Sequence, residues 1–415
     1  MSSDLPAGKE RAEEGSGQID GKTARDREAY DAGFIDSRAK REFYVFGFAC
    51  FLVSFVYSHS ALFAVVFARE GHDLHAIGLL LSLFAIPVIF MSFFSGVIAA
   101  RLGVLEASRI SIVFVLAGFS SLYFTSGAFW PALVSRFLQG IGQGLFLGCA
   151  MTYAQSRLSP RRFVYLLGVF SSMLPLAQAF GPPFGAFVLN TYGPRAIFIV
   201  GAIPACFGLL LTFGLRPLPR AKSTAGLELG AHLRRDRIGP LAAIFINGTI
   251  FGFTGAYLAA TLEAKALPIA AFFIASTTAM FASRFLAMRR LSLLDWRILV
   301  SAGILLQSLS FILIALAGQS WLIVITGVMF GTGYSVVYPI LSARMSEGVA
   351  ANERAGPQGL LNTVFNLGLF AMPYPETLII AHLGYSGTLI ILAIIGIATA
   401  AVLFGLALRD RSTGR

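Results

Sequence analysis

The feature that most constrains this chain is a succession of long apolar segments with short polar turns between them. A helix that crosses a lipid bilayer needs about 20 mostly apolar residues, because its backbone polar groups find no water in the hydrocarbon core. Twelve segments meet this requirement, at approximately 43–67, 76–99, 107–127, 130–153, 163–188, 196–215, 240–262, 267–288, 297–318, 321–343, 358–381 and 385–408. The pattern predicts an all-α polytopic membrane protein with twelve transmembrane helices.

A basic stretch in the middle of the chain divides these segments into two sets of six. It covers residues 216–239 and is the longest polar interruption between the apolar segments. We therefore predict two six-helix bundles, at 43–215 and 240–408, joined by a cytoplasmic linker at 216–239. A short cytoplasmic tail is predicted at 409–415.

The residues before the first apolar segment have a different composition. Ten of the 21 acidic residues of the chain lie in the first 42 positions. A segment rich in Gly, Ser and charged residues buries too little apolar surface to fold alone. We therefore predict that residues 1–42 form a disordered cytoplasmic tail, and that the residues up to about 40 are dispensable for function.

The basic residues predict the orientation, because Lys and Arg accumulate in cytoplasmic loops. With the N-terminus in the cytoplasm, 28 of the 32 basic residues lie on the cytoplasmic side, three lie on the other side, and Arg136 lies within the membrane. Both termini are therefore predicted to be cytoplasmic, in a bacterial inner (plasma) membrane. The net charge of +11 follows from this topology, so nucleic acid is not predicted as a partner.

Several classes of chemistry lack their usual signals. Cys50, Cys149 and Cys206 all lie in apolar segments and are interpreted as small hydrophobic residues. The chain shows no paired carboxylates, no metal-ligand spacing, no phosphate-binding glycine loop and no nucleophile elbow. It is therefore not expected to be an enzyme, nor to bind a metal or a cofactor.

The fourth apolar segment contains the stretch RFLQGIGQG at 136–144. Gly140, Gly144 and Gly148 recur every four residues, which gives the helix a smooth face on which a neighbouring backbone can pack closely. Arg136 is expected to point away from this face. An ionisable group at this depth is costly, so it is expected to face a wet cavity; the alternative is that it snorkels to the interface.

Six plus six helices with a basic central linker resemble the major facilitator superfamily, and the fourth segment resembles that family's motif R-x-x-Q-G-x-G-x-G. The matching residues are Arg136, Gln139, Gly140, Gly142 and Gly144. The resemblance implies two pseudo-symmetric bundles with a solute site between them near the midplane. It also implies transport by alternating access.

The fifth segment, GVFSSMLPLAQAFGPPFGA at 168–186, resembles the signature of superfamily exporters that work as antiporters. The matching positions are Gly168, Gly181, Pro182 and Gly185, while alanines replace two of the family's glycines. The Gly-Pro step is expected to bend the helix. The small residues are expected to pack against the eighth helix and to close the outer side.

The turn between the second and third segments resembles the family's gating loop G-x-x-x-D-R-x-G. Gly96, Arg101 and Gly103 match, but Ala100 stands where the family has an aspartate. The cytoplasmic latch that this aspartate would form is therefore expected to be weaker or differently built.

Few polar residues lie deep enough in the predicted bundles to bind a solute near the midplane. In the first half the candidates for substrate binding or coupling are Tyr57, His59, Arg136, Gln139, Gln143 and Gln178. In the second half they are Asn247, Tyr334, Tyr338, Asn362, Asn366 and Glu376, with Tyr257 nearby.

Proton coupling requires a group that changes protonation inside the membrane. The first half has no carboxylate within its segments, so the candidates are His59, Glu263 and Glu376. Each also has a simpler interpretation. His59 could hydrogen-bond within the helix packing, Glu263 is expected to be solvated at a loop, and Glu376 is expected to face water at the outer mouth.

Two functions fit these features. The first is proton-coupled efflux of a small organic solute, which the fifth segment favours. The second is import or exchange of organic anions, with Arg136 binding a carboxylate. A scaffold or receptor without transport is disfavoured, because the loops are too short for an appended domain. The expected partners are a small-molecule substrate, protons and membrane lipid, and the chain is expected to function as a monomer.

Overall fold

The computed structural model describes residues 28, 30–159, 166–167, 169–170, 173–218, 237–286, 295–345, 347 and 355–412. Its long helices, in chain order, are α1 (Ser37–Arg69), α2 (Leu74–Leu102), α3 (Val104–Thr125), α4 (Phe129–Gln155), α5 (Met173–Tyr192), α6 (Ala196–Thr212), α7 (Ile238–Ala256, then Leu258–Ala264), α8 (Ile269–Leu286), α9 (Trp296–Leu316), α10 (Ser320–Met345), α11 (Ala355–Asn366, a π-helical turn at Leu367–Ala371, then 373–383) and α12 (385–412). The described part of the chain therefore shows one helix for each of the twelve predicted segments.

Glycines with positive φ mark sharp changes of direction between these helices. Gly384 (φ 66°) separates α11 from α12, and Gly103 (φ 100°) separates α2 from α3. Residues with a Cβ rarely adopt these angles, so glycine is required at both turns. In the predicted gating loop, the positive φ of Gly103 directly explains why glycine occupies this position.

The outer surface of the bundle is apolar. Phe124, Trp130 and Phe213 are 81%, 73% and 63% exposed, and many other large apolar side chains share this surface. Seven helical stretches among the described residues are long and apolar enough to span a membrane, and one of them, Gly359–Arg409, contains both α11 and α12. The chain is a multi-pass integral membrane protein.

The two halves pack their helices in the same pattern. In the first half, α4 packs against α2 and α3, α6 packs against α1 and α3, and α1 packs against α5. In the second half, α10 packs against α8 and α9, α12 packs against α7 and α9, and α7 packs against α11. Each pair repeats with an offset of six helices, which confirms the prediction of two pseudo-symmetric six-helix bundles.

Glycines on α4 bring its backbone close to α2. A Cβ added to Gly140 would lie 2.9 Å from the carbonyl oxygen of Phe84, and one added to Gly144 would lie 2.9 Å from the Cβ of Met91. A Cβ on Gly142 would instead approach α3, at 2.7 Å from the carbonyl oxygen of Ser111. These helices therefore lie closer together than larger side chains would permit.

The second half repeats this arrangement on α10. A Cβ on Gly327 would lie 2.8 Å from the carbonyl oxygen of Phe272 on α8, and one on Gly331 would collide with the backbone of Ser276. Gly327 and Gly331 are four residues apart, as are Gly140 and Gly144 in the first half. The smooth face predicted for α4 therefore has a counterpart in the second bundle.

The halves meet at one end of the molecule, which we name the closed end. It carries the turn between α1 and α2 and the turn between α7 and α8. There the Oγ of Ser82 on α2 donates to the carbonyl oxygen of Ala371, 3.3 Å away, and accepts from the backbone N–H of Tyr374, 2.6 Å away. Arg69 forms an ion pair with Glu263 at the same end, with 2.5 Å between Nη2 and Oε1. Polar contacts therefore join the two bundles at the closed end.

The predicted boundary of the N-terminal tail at residue 42 is wrong. α1 begins at Ser37, with the Asp36 side chain accepting from the Ala39 backbone N–H, and Phe34 is only 1% exposed. Glu42 is 1% exposed. It forms ion pairs with arginines of two other segments, with Arg157 at 3.2 Å and with Arg216 at 2.9 Å. These contacts fold the end of the tail onto the first bundle, so truncation to about residue 40 would remove packed structure.

Two other predicted boundaries also change. α12 continues to Ser412, so the predicted C-terminal tail at 409–415 begins too early. Arg216 packs against α1 and α7 begins at Ile238, while the interior of the predicted linker and residues 1–27 lie outside the described residues.

We expect the substitution Gly144→Leu to destabilise the protein by about 1–3 kcal/mol, because the new side chain has no room between α4 and α2. Thermal unfolding of the purified protein in detergent measures this. The matched control is Gly405→Leu on α12, where an added Cβ meets no atom within 4 Å. Equal unfolding temperatures for the two variants would contradict the close packing of α4 on α2.

Candidate functional site

Arg136 lies inside the first bundle, where its side chain is 3% exposed. The guanidinium carbon is 4.2 Å from the ring centroid of Phe84 and 5.0 Å from that of Phe63. Its Nε donates to the carbonyl oxygen of Leu80 at 3.2 Å, and its Nη1 donates to Oε1 of Gln139 at 2.6 Å. Aromatic rings and hydrogen bonds together stabilise a buried cation that would otherwise be costly.

This position corrects the expectation that Arg136 faces a wet cavity, because its side chain is 3% exposed, and it also corrects the expected direction of the side chain. Arg136 does not point away from the glycine face, because its acceptor at Leu80 lies on α2, the helix that the glycines also contact. It does not snorkel to the interface either, since its side chain is buried among residues of α1, α2 and α4. The aromatic partners, Phe63 and Phe84, were not identifiable from the sequence because phenylalanine occurs throughout the apolar segments.

Gln139 and Tyr57 extend this polar centre across three helices. The Gln139 amide nitrogen donates to the carbonyl oxygen of Gly118 on α3 at 3.1 Å, and the Tyr57 hydroxyl on α1 donates to the Gln139 carbonyl oxygen at 2.9 Å. We name Tyr57, Arg136 and Gln139 the arginine centre. Three of the predicted site residues of the first half are thus brought together.

A pair of aromatic rings connects the arginine centre to the second half. The ring of Phe84, which lies over Arg136, packs edge to face against Phe370 of α11, with 5.2 Å between centroids. Phe370 belongs to the π-helical turn at Leu367–Ala371, which follows Asn366. Such turns are rare and occur frequently at functional sites. The turn therefore sits where the arginine centre meets the other bundle.

The candidates on α10 and α11 form a second group. The Tyr338 hydroxyl donates to Oδ1 of Asn362, which is exposed, and Tyr334 stacks on Phe251 of α7 with 4.3 Å between centroids. Asn366 is half-buried at the start of the π-helical turn. An aromatic and amide surface of this kind suits a solute with both apolar and polar parts.

Asn247 is separate from that group and is fully buried in the second bundle. Its Oδ1 accepts from the amide nitrogen of Gln307 on α9 at 3.0 Å, and both residues are 0% exposed. Gln307 was missed in the sequence, although it is a lone amide within an apolar segment. This pair holds α7 against α9 and is not in contact with the arginine centre.

Two of the candidate site residues are ionisable and buried and keep polar atoms without a hydrogen-bond partner. His59 is 0% exposed; its Nδ1 lies 2.8 Å from the carbonyl oxygen of Phe55, and its Nε2 has no partner. Glu376 is 2% exposed, and neither carboxyl oxygen has a partner. The expectation that Glu376 faces water at the outer mouth is therefore wrong, because its side chain is buried.

Helix α5 packs against α8 as expected, but Gly181 and Gly185 have a different partner. A Cβ on Gly181 would collide with Ser58 of α1, and one on Gly185 would lie 2.7 Å from Cδ2 of His59. Both glycines therefore face α1, while Ala186 and Phe187 of α5 line a cavity of about 400 Å³ at the closed end together with Ile269 of α8. Helix α5 continues through Pro182, and Gly168 lies outside the described residues.

The remaining candidates show fewer contacts. Gln143 and Gln178 are half-buried, and Arg101 is exposed. An added Cβ on Gly96 would meet no atom within 4 Å, so close packing does not explain a glycine there in this conformation.

Glu263 is more than a solvated loop residue. It is 38% exposed, and it pairs with Arg69 of the first bundle, which also donates to Oδ1 of Asn190 at 3.1 Å. The expectation that it is simply solvated is therefore corrected to a role in joining the two halves. The sequence offered no signal for this pair, because the two residues are 194 positions apart.

The family model for the Major Facilitator Superfamily matches residues 46–373. The chain belongs to this superfamily. Solved structures with a similar fold include a POT family transporter in complex with 5-aminolevulinic acid (TM-score 0.74, 15% identity, 89% of this chain and 96% of that chain). Another is the nucleoside transporter NupG (TM-score 0.74, 14% identity, 88% of this chain and 98% of that chain).

Two superfamily relatives match shorter parts of the sequence. The first is a probable sphingolipid transporter, spinster homolog 1 of Arabidopsis thaliana, with 30% identity over 97 residues, 23% of this chain and 20% of the relative. The second is the uncharacterized transporter YwbF of Bacillus subtilis (strain 168), with 25% identity over 179 residues, 40% of this chain and 42% of the relative. The chain thus matches less than half of the length of each of these relatives.

We expect Arg136→Lys to destabilise this superfamily member by about 1–3 kcal/mol, because a single ammonium group does not reproduce the planar fork that reaches both Leu80 and Gln139. Thermal unfolding in detergent at a fixed pH measures the change. Arg101→Lys, at an exposed arginine, is the matched control. If both variants unfold at the wild-type temperature, the contacts of Arg136 contribute nothing to stability.

Proposed function

We propose that the chain is a secondary transporter that moves a small organic solute across the membrane by alternating access, in the direction of proton-coupled efflux. The observation that carries the proposal is the arrangement of the two bundles: they have the same internal packing and join through polar contacts at the closed end. Two similar bundles that are in contact at one end can tilt against each other about a site between them. The tilt opens that end and closes the opposite one.

The candidate residues of α10 and α11 suit an amphipathic solute. The group of Tyr334, Tyr338 and Asn362 offers aromatic surface with amide and hydroxyl groups, and the π-helical turn adjoins it. The similar structures include transporters of small molecules, which agrees with a small-molecule substrate. Efflux rests on the resemblance of the fifth helix to antiporter-type exporters.

Carriage of an organic anion by Arg136 receives less support from this geometry. Two of the guanidinium nitrogens already donate to protein oxygens, and the side chain lies between two phenylalanine rings. An anionic solute would have to displace Gln139 to form a bidentate pair. The arginine centre therefore fits a positioning role for α1, α2 and α4 better than direct solute binding.

A direct test combines a ligand screen with transport in proteoliposomes. Purified full-length protein is screened by thermal shift against dipeptides, nucleosides, organic acids and lipophilic amines, because a ligand that binds the folded state raises its stability. Ligands that stabilise the protein are then added outside proteoliposomes, and their uptake is measured with and without an imposed pH gradient. Accumulation that depends on the gradient supports the proposal; a ligand that binds but never crosses the membrane under any gradient contradicts it.

The Arg69–Glu263 ion pair gives a prediction about closure. Because this pair joins the bundles, Arg69→Glu should shift the population toward a conformation that is open at the closed end, by up to about fivefold for an interaction of about 1 kcal/mol. The double variant Arg69→Glu with Glu263→Arg should restore closure. Electron–electron resonance between spin labels at Thr191 and Ser320 of the two bundles, with Cys206 replaced by serine, measures the distance across this end.

The control for this prediction is Arg195→Glu. Arg195 forms an ion pair with Glu70 at the same end, but both residues belong to the first bundle. It should therefore leave the label distances unchanged. Identical distances in the wild type and Arg69→Glu would show that the pair does not hold the bundles together.

A further inference from the structure

The carboxyl group of Glu376 has an unusual environment for an acid. It lies on α11 near the closed end with 2% exposure, and both of its oxygens lack a hydrogen-bond partner. An ionised carboxylate without a partner in an apolar interior is strongly disfavoured. A neutral carboxylic acid is the form that fits this site.

The polar groups beside Glu376 form hydrogen bonds with one another and none with its carboxyl group. The Tyr257 hydroxyl, at the break in α7, lies 3.1 Å from the carbonyl oxygen of Pro373 and 2.5 Å from Oγ1 of Thr377. Thr377 Oγ1 also donates to the Pro373 carbonyl oxygen at 3.0 Å. These bonds attach α11 to α7 immediately beside Glu376, without supplying a donor to its carboxylate.

The same stretch of α11 carries the contact with the first bundle. A Cβ on Gly78 of α2 would lie 2.8 Å from the Cβ of Thr377, and Ser82 bonds to Ala371 and Tyr374 one to two turns away. Separation of α2 from α11 is therefore required to open the closed end. That separation would bring water to the segment that contains Glu376.

The ionisable groups around Glu376 come from several helices. Tyr257 on α7 interacts with it electrostatically, and Tyr385 at the start of α12 lies beside Tyr257, with 6.5 Å between ring centroids. Tyr385 in turn interacts with Glu263, which pairs with Arg69. On the packed part of α2 the ionisable side chain is His75, which is exposed, as is His382 on α11 itself. No cation thus faces Glu376 from these described neighbours.

We propose that Glu376 is the proton-carrying residue of the transporter, an inference that rests on the proposed function. Its carboxyl group holds a proton while the closed end is shut and exchanges it with water when α2 separates from α11. The proton-bound state is the closed one, so a rise in pH favours opening. A proton fits better than Na⁺, because a metal ion would need several oxygen ligands, whereas the carboxylate has no polar neighbour within hydrogen-bonding distance.

The test measures the Thr191–Ser320 label distances in full-length protein at pH values from about 5.5 to 8.5. The wild type should gain a longer-distance population as the pH rises, by at least about fivefold, the lower range of a functional coupling. Glu376→Gln and the apolar Glu376→Met should remain closed throughout, while Glu376→Asp should keep the response. Two neutral variants are used so that a folding defect in one does not decide the result.

Two acids elsewhere provide matched controls. Glu106→Gln removes a half-exposed acid that pairs with Arg109 on α3, and Glu263→Gln removes the acid at the inter-bundle ion pair. Glu106→Gln should keep the wild-type response, whereas Glu263→Gln, which breaks the inter-bundle pair, should begin with a more open population and still open further as the pH rises. The proposal is overturned if the neutral Glu376 variants still open as the pH rises, or if Glu263→Gln alone abolishes the response. It is also overturned if replacing choline with Na⁺ in the buffer at fixed pH drives closure.

The distance measurement does not depend on transport, so the two proposals fail separately. If the wild type moves a solute under a pH gradient while the Glu376 variants keep their pH response, Glu376 is not the coupling residue but the proposed function stands. If the pH response requires Glu376 while no bound solute crosses the membrane, the proposed function fails and Glu376 remains a pH-dependent closure residue.

Discussion

Close contact between backbones, made possible by glycines on α4 and α10, is the interaction on which each half of the molecule depends. Gly140 and Gly144 bring α4 against α2, and Gly327 and Gly331 bring α10 against α8. Helices in lipid gain little from the hydrophobic effect between them, so van der Waals contact of this kind is a main source of their association. The same contact places Phe84 of α2 over the guanidinium of Arg136.

The arginine centre and the π-helical turn of α11 are joined through that contact. Arg136 is held by Leu80 and Phe84 of α2, and Phe84 meets Phe370 in the turn. Ser82, two residues from both Leu80 and Phe84, bonds to Ala371, the last residue of the same π-helical turn. Helix α2 is therefore the element through which the first bundle positions α11. A change in the packing of α2 on α4 would alter the contacts of Phe84 and Ser82 with α11.

Several of the described residues depart from the rule that buried polar atoms have hydrogen-bond partners, and the ionisable candidates His59 and Glu376 are among them. His59 and Glu376 are both enclosed, and each keeps at least one polar atom without a hydrogen bond. Such departures are costly, so they persist where they serve a purpose or where another conformation supplies the partner. For Glu376 the geometry points to the second explanation, because the contacts between α2 and the adjoining residues of α11 are those that alternating access would break.

The amino-acid sequence determined the class of the protein, the twelve spanning segments and the glycine face of α4. Each of these follows from local properties: the length of an apolar segment, the position of polar turns, and the four-residue repeat of small residues on one helix. Phe34 and Glu42 show the limit of such reasoning, since a polar segment was expected to be disordered and is instead packed through Arg157 and Arg216. The tertiary structure alone decided which helix each glycine of α5 faces, that Glu376 is buried, and that Arg69 meets Glu263. These depend on how helices distant in the sequence are rotated and tilted against one another, which no single helix encodes.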